Sequence, residues 1–289
     1  MEQCDFLPVS AEEMHERGWW WYDALVVGGD AYVDHPSFGT AVISRVLESE
    51  GLRVAVLAQP DWHDAEAFRA MGRPRLGVFI GAGNLDSMVA HYTAAKRRRS
   101  EDFYSPGKRS GCRPDRAAIV YCNRAREAFG PDMPIILGSL EASLRRFAHY
   151  DYWDDSVRRA ILFDAPADLL VYGMGEAATI EIAHRLKKKQ SVRTMTDIPG
   201  TGYITRDPSV CKFDHITLPS FEDVRDDKRL YAEATRTEYA EHDPIRGRAM
   251  IQPCEGRYLI INPPAMPLDT KELDRVAELP YTREWHPMY

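Results

Sequence analysis

The densest run of chemically able side chains lies at 135–153 (IILGSLEASLRRFAHYDYW). An apolar segment breaks there at Gly138-Ser139, and Glu141, Arg145, His149, Tyr150, Asp151 and Trp153 follow at once. A carboxylate and a guanidinium four residues apart on a helix can pair, orient a polar ligand or hand on a proton. Without a ligand the same stretch is a helix start and a loop whose charges satisfy one another. Three further glycine breaks carry polar groups: Gly28-Gly29-Asp30, Gly81-Ala82-Gly83-Asn84 and Gly173-Met174-Gly175-Glu176. Glycine at such points lets backbone N–H groups approach a bound group closely.

Several chemistries find no motif. There is no G-x-S-x-G, no HExxH and no Walker A lysine. The Gly81–Asn84 turn holds half of a dinucleotide fingerprint. Asp34-His35 falls just after the first expected strand, where cobalamin-binding domains of this topology place a ligating histidine. Those domains use D-x-H-x-x-G, and Asp34, His35 and Gly39 do not match that spacing, so a hydrogen-bonded turn histidine is expected. The five cysteines (4, 112, 122, 211 and 254) are odd in number and widely scattered, which argues against a disulfide framework and against a close-spaced zinc or iron–sulfur loop.

The elements that must position these groups alternate between strand and helix. Strands are expected at 23–29, 52–58, 76–80, 134–137 and 168–172, with helices at 36–50, 64–71, 115–129 and 177–189 between and after them. The spacing of Leu140, Leu144 and Phe147 places all three on the packed face of the helix after Gly138-Ser139. Five strands joined by helices predict a parallel sheet with right-handed crossovers in the flavodoxin-like order 2-1-3-4-5. The four glycine breaks then gather on the rim at the strand C-termini. Two insertions interrupt the pattern: a basic loop at 96–114 opening with Lys96-Arg97-Arg98-Arg99, read as a solvated helix end or a phosphate contact, and 150–166. Trp19-Trp20-Trp21-Tyr22 reads as an aromatic lid over the sheet edge. After residue 190 the texture changes to a small antiparallel element, a charged helix over 221–241 and a strand at 257–262. The expected division is therefore 1–190 as a Rossmann-like domain and 191–289 as an α+β extension and linker.

Composition sets outer bounds. The chain has 289 residues, 44% hydrophobic, and a net charge of −7, so overall basicity gives no nucleic-acid signal. The longest apolar runs are strand-sized, far short of a membrane span. The first residues (MEQCDFLPVS) hold no apolar signal core, and a cytoplasmic protein is the default expectation.

The blocks SAEEMHERGWWWYDALVVGGDAYVDHPSFGTAVISRVLE, GNLDSMVAHYTAAKRRR, GSLEASLRRFAHYDYWDDSVRRAILFDAPADLLVYGMGE and YLIINPPAMPL, together with LPYTREWHPMY, resemble the N-terminal portion of YgiQ-like radical SAM proteins from about Phe6 onward. The resemblance implies a Rossmann-like, flavodoxin- or cobalamin-binding-like domain that precedes a radical SAM barrel. That barrel would carry a C-x-x-x-C-x-x-C loop, a [4Fe-4S] cluster and S-adenosylmethionine; none of the five cysteines here matches it. The family usually reads Gly-Gly where this chain has Gly138-Ser139.

On this reading the chain is an accessory domain that shapes a substrate site for a barrel supplied in cis or by another chain. The substrate, small or macromolecular, is not specified. Asp30, His35, Asn84, Ser139, Glu141, Arg145 and Glu176 are the rim candidates, with proton transfer assigned to Glu141 or Glu176. The alternatives are a stand-alone nucleotide-, flavin- or corrin-binding module, and a protein–protein adaptor using the 96–114 loop and the tryptophan cluster.

Overall fold

The computed structural model describes residues 5–289. Cys4, and with it part of the N-terminal stretch read above, lies outside the described residues. In chain order the elements are α1 (Ala11–Glu16), β1 (Ala24–Gly28), α2 (Gly39–Ser49), β2 (Val54–Ala58), α3 (Glu66–Ala70), β3 (Gly77–Gly81), α4 (Ser87–His91), α5 (Ala117–Phe129), β4 (Ile135–Gly138) and α6 (Ser139–Leu144). They continue with β5 (His149–Asp151), β6 (Ser156–Arg158), β7 (Leu169–Val171), α7 (Glu176–Lys187), β8 (Thr201–Thr205), β9 (His215–Thr217), α8 (Phe221–Asp226), α9 (Lys228–Ala240), β10 (Ala249–Cys254), β11 (Arg257–Ile261) and α10 (Thr270–Ala277).

The five expected parallel strands are present in the expected order. β2, β1, β3, β4 and β7 lie side by side, with Val26 opposite Val56 and Phe79, and Ile136 opposite Leu169. Successive side chains point to opposite faces of a strand, and both faces are covered. Leu25, Val27, Val78, Ile80, Ile135 and Leu137 pack beneath α5. Val26, Phe79, Ile136 and Val171 pack in the second core together with Leu47 of α2 and Ile182 of α7. Full burial of each such aliphatic side chain stabilises by about 1.5–3 kcal/mol, which is why these strands read as continuous apolar runs.

The strands after residue 190 do not make a sheet of their own. β8 pairs antiparallel with β7 (Leu170 opposite Gly202, Val171 opposite Thr201), and β11, β10 and β9 follow, so nine of the strands form one sheet while β5 and β6 pair apart as a small antiparallel ribbon. A sheet ending at β7 would leave a fully buried strand with an unpaired edge, and β8 closes it. The β10–β11 hairpin turns through Glu255 (φ 48°) and Gly256 (φ 72°), a two-residue left-handed turn of the kind that suits strand twist.

Two helical expectations need correction. The charged helix over 221–241 is two helices, because Asp227 is extended (φ −128°, ψ 114°) and its carboxylate accepts from the Arg229 N–H to start α9. On α6, Phe147 just beyond the helix is buried, but Leu140 and Leu144 are 43% and 60% exposed. The helix is turned so that Glu141 and Ala142 face inward instead.

Candidate functional site

The four glycine breaks meet at the C-terminal rim. A cavity of about 310 Å³ opens there between the N-termini of α2 and α7. Its walls include Val26, Ile43, Phe79, Ile136, Val171 and Met174, and its polar edge includes Thr40, Ser139, Glu176 and Thr179. In open α/β sheets, ligands bind in the crevice outside the carboxyl ends of the strands. Close packing of backbone makes the rim. A Cβ on Gly29 would collide with the Ala82 carbonyl, and Gly83 holds φ +108° against Asp30. Ser139 sits at φ +73°, a region that favours glycine, and its Oγ accepts from the Ala82 N–H at 3.0 Å. Ser139 thus takes a glycine-like backbone and adds one bond.

The predicted candidates divide sharply. Ser139 and Glu176 line the cavity. Asp30 does not: it is buried, and its Oδ1 accepts from Arg113 Nη1 at 2.8 Å while Oδ2 accepts from the Asn84 N–H at 2.7 Å. Arg113 also donates to Asp102 within the 96–114 loop (2.8 Å), and its bond to Asp30 pins that loop to the rim. Burial pushes the Asp30 carboxyl up from its ordinary value against the pull of Arg113. Asn84 fixes the loop before α2, accepting from the Gly39 N–H (3.3 Å) and donating to the Ser37 carbonyl (3.0 Å). His35 is half-buried and its Nδ1 accepts from the Ser37 N–H at 3.1 Å, the local turn bond expected of it.

Glu141 is fully buried. Its Oε2 accepts from the Ser87 N–H (2.8 Å) and its Oε1 from the Ala118 N–H (3.0 Å), so one carboxylate caps the first turns of both α4 and α5. Arg145 closes the corner by pairing with Asp86, and its Nη1 lies 3.7 Å from Glu141 Oε2. Glu141 and Arg145 therefore serve as scaffold beside the cavity. Glu176 differs. It opens α7, and its Oε2 is buried with no hydrogen-bond partner among the described residues.

Sequence reasoning missed three groups. Asp34 and Arg45 form a fully buried ion pair (2.5 Å) under the rim, and the 281–289 segment folds back onto it, with the Thr282 N–H donating to Asp34 Oδ2 at 2.9 Å. His91 and Tyr92 both bind Asp115, at 2.6 and 2.7 Å. Arg146 lies over the Tyr172 ring beside Glu238, whose carboxyl burial pushes up to about 7. None had a spacing signal, since each pairs residues far apart or on different elements. The adaptor surfaces separate: the tryptophan cluster meets Arg53 and Arg75 at the strand N-terminal ends, while the 96–114 loop is anchored at the opposite rim.

The described residues do not fit a [4Fe-4S] cluster. No three of their His, Cys, Asp or Glu side chains converge in a metal-binding arrangement, and Cys122 and Cys254 are buried thiols whose pKa values burial pushes up. Likewise, no helix among them is long and apolar enough to cross a membrane.

The family profile described as Radical SAM N-terminal matches residues 6–289. A UPF0313 protein of Clostridium botulinum (strain 657 / Type Ba4) is 53% identical over 289 residues, all of this chain and 45% of that protein. One from Clostridium perfringens (strain SM101 / Type A) is 52% identical over 44% of its length. The chain thus spans somewhat less than half the length of these curated relatives. A solved structure, the radical S-adenosylmethionine methyltransferase TsrM from Kitasatospora setae with tryptophan substrate and a SAM analog bound, overlaps 62% of this chain and 28% of its own at 20% identity and a TM-score of 0.39. With residues 6–289 matched by that family profile, the chain belongs to the radical SAM N-terminal family.

Proposed function

We propose that this chain is the accessory part of a cytoplasmic radical SAM iron–sulfur protein, and that its rim cavity is one wall of a substrate site. The other wall would be a radical SAM barrel held in the relatives' remaining length or on a second chain, together with the cluster and S-adenosylmethionine. One observation carries the reading: the cavity opens at the strand C-termini, and Leu140, Leu144 and Met174 stand exposed on the same rim. Apolar side chains grouped at a pocket mouth mark a surface that another body covers. In this arrangement the chain's own residues bind and orient; the barrel would supply the one-electron chemistry.

The test is association. The present chain and the remaining part of the Clostridium botulinum relative, expressed separately, should form a complex in analytical ultracentrifugation. Leu140→Asp with Leu144→Asp should weaken it about ten-fold or more, because charges would be buried in an apolar contact. Trp20→Asp, at the opposite end of the sheet, should leave it unchanged. Equal effects of the two changes would contradict the reading.

A second reading, a stand-alone binding module, is favoured by the cavity having both apolar walls and a polar edge from this chain's own residues.

A further inference from the structure

The geometry points to a ligand class for the rim cavity: a small molecule with an apolar body of one or two rings and a hydrogen-bond donor, an amine, amidine or hydroxyl, directed at Glu176. Anions of the same size should be rejected. This deepens the substrate-site reading and rests on it.

Four observations lead there. The cavity, about 310 Å³, lies at the low end of small-ligand pockets, and its walls are chiefly Val, Ile, Phe and Met side chains. Among its lining residues Glu176 is the one ionisable side chain, so no lysine, arginine or histidine stands ready for a phosphate or carboxylate. Glu176 Oε2 is a buried acceptor without a protein partner among the described residues, an arrangement that a ligand donor would relieve. Beside it Tyr281, 7% exposed and within electrostatic reach of Glu176, has a hydroxyl that is also unpartnered.

The opposing argument is that two helix N-termini converge here, and helix N-termini favour anions. The protein offsets each in part, although the α7 N-cap Gly175 makes no side-chain hydrogen bond. The Gly39 N–H at the start of α2 donates to Asn84 Oδ1. The first turn of α7 carries the Glu176 carboxylate itself. A second negative charge in the same cavity would face Glu176 across a weakly screened gap.

Benzamidine, benzyl alcohol and benzoate share one ring and differ in charge, so they test the inference on the purified chain by saturation-transfer NMR and calorimetric titration. Benzamidine and benzyl alcohol should bind at one site, and benzoate about ten-fold more weakly than benzamidine or worse. Glu176→Gln should weaken benzamidine about ten-fold and narrow its lead over benzoate. Met174→Trp, a change at a half-exposed position on the cavity lining, should block all three while the circular-dichroism melt stays that of the parent. Benzoate binding as tightly as benzamidine, benzamidine indifferent to both substitutions, or no probe binding at all would each overturn the inference. The association experiment separates this from the accessory role. If the Leu140/Leu144 change still breaks the complex while the probes fail, only the ligand class falls. If the probes behave as stated and association is indifferent, the accessory role falls.

Discussion

Two corners of one sheet edge treat their carboxylates in opposite ways. Around α4, α5 and the 96–114 loop, Asp30, Asp102 and Glu141 are buried, and every one is met by a guanidinium or by backbone N–H groups. Across the rim, between α2 and α7, Glu176 keeps an oxygen that nothing in the protein satisfies. Buried charge is tolerated where it is paired, because unpaired it costs several kcal/mol. The first corner is therefore a joint that holds helices and loop in place. The second corner leaves its acceptor for something else to meet.

The largest effect should come from breaking the joint. Arg113→Met leaves Asp30 and Asp102 buried beside each other without a cation, and urea denaturation should show a loss of about 3–5 kcal/mol. A loss below about 1 kcal/mol would mean that the 96–114 loop detaches freely. Glu141→Ala uncaps α4 and α5 together, and a loss of about 2–4 kcal/mol is expected. Hydrogen exchange at Ser87 and Ala118 should speed up in that variant more than elsewhere.

Glu238 stands between the two cases. Half-buried near Arg146, its carboxyl is pushed up by burial from an ordinary 4.5 to about 7. The folded state then holds that proton more tightly than the unfolded chain. Its contribution is fully present below about pH 4.5 and is lost as pH rises to about 7. Comparing the parent with Glu238→Gln across that window should reveal a pH-dependent difference of about 1–3 kcal/mol. Identical pH slopes would contradict it. The smallest effect is expected at the cavity: Glu176→Gln should raise stability by about 1 kcal/mol or less, since it removes part of the cost of an unpaired buried oxygen and breaks no protein contact. A large loss there would move Glu176 into the scaffold.

The sheet was legible because five strands buried on both faces must be continuous apolar runs, and 23–29, 76–80 and 134–137 are written that way. β10 was not, since Gln252 and Pro253 interrupt its pattern. Gln252 is buried there, accepting from the Ala148 N–H at 3.0 Å and donating to the Pro219 carbonyl at 3.3 Å. The glycine breaks located the rim, but residue type did not separate Glu141 from Glu176. Both open a helix after a glycine turn, and only the neighbours donated by distant segments (Ser87 and Ala118 for Glu141) decide which is occupied. The inward demand of Glu141 also explains why the spacing of Leu140 and Leu144 misled: their face was turned outward to bring the carboxylate to two helix ends.

Carbodiimide footprinting of the intact chain, read by mass spectrometry, tests the division of the rim most directly, because it labels carboxylates according to whether they are free to react. Glu176 should label quickly and be protected by benzamidine, while Glu141 and Asp30 stay unlabelled in both conditions. Labelling of Glu141 and Asp30 as fast as Glu176, or no labelling at Glu176, would contradict the account.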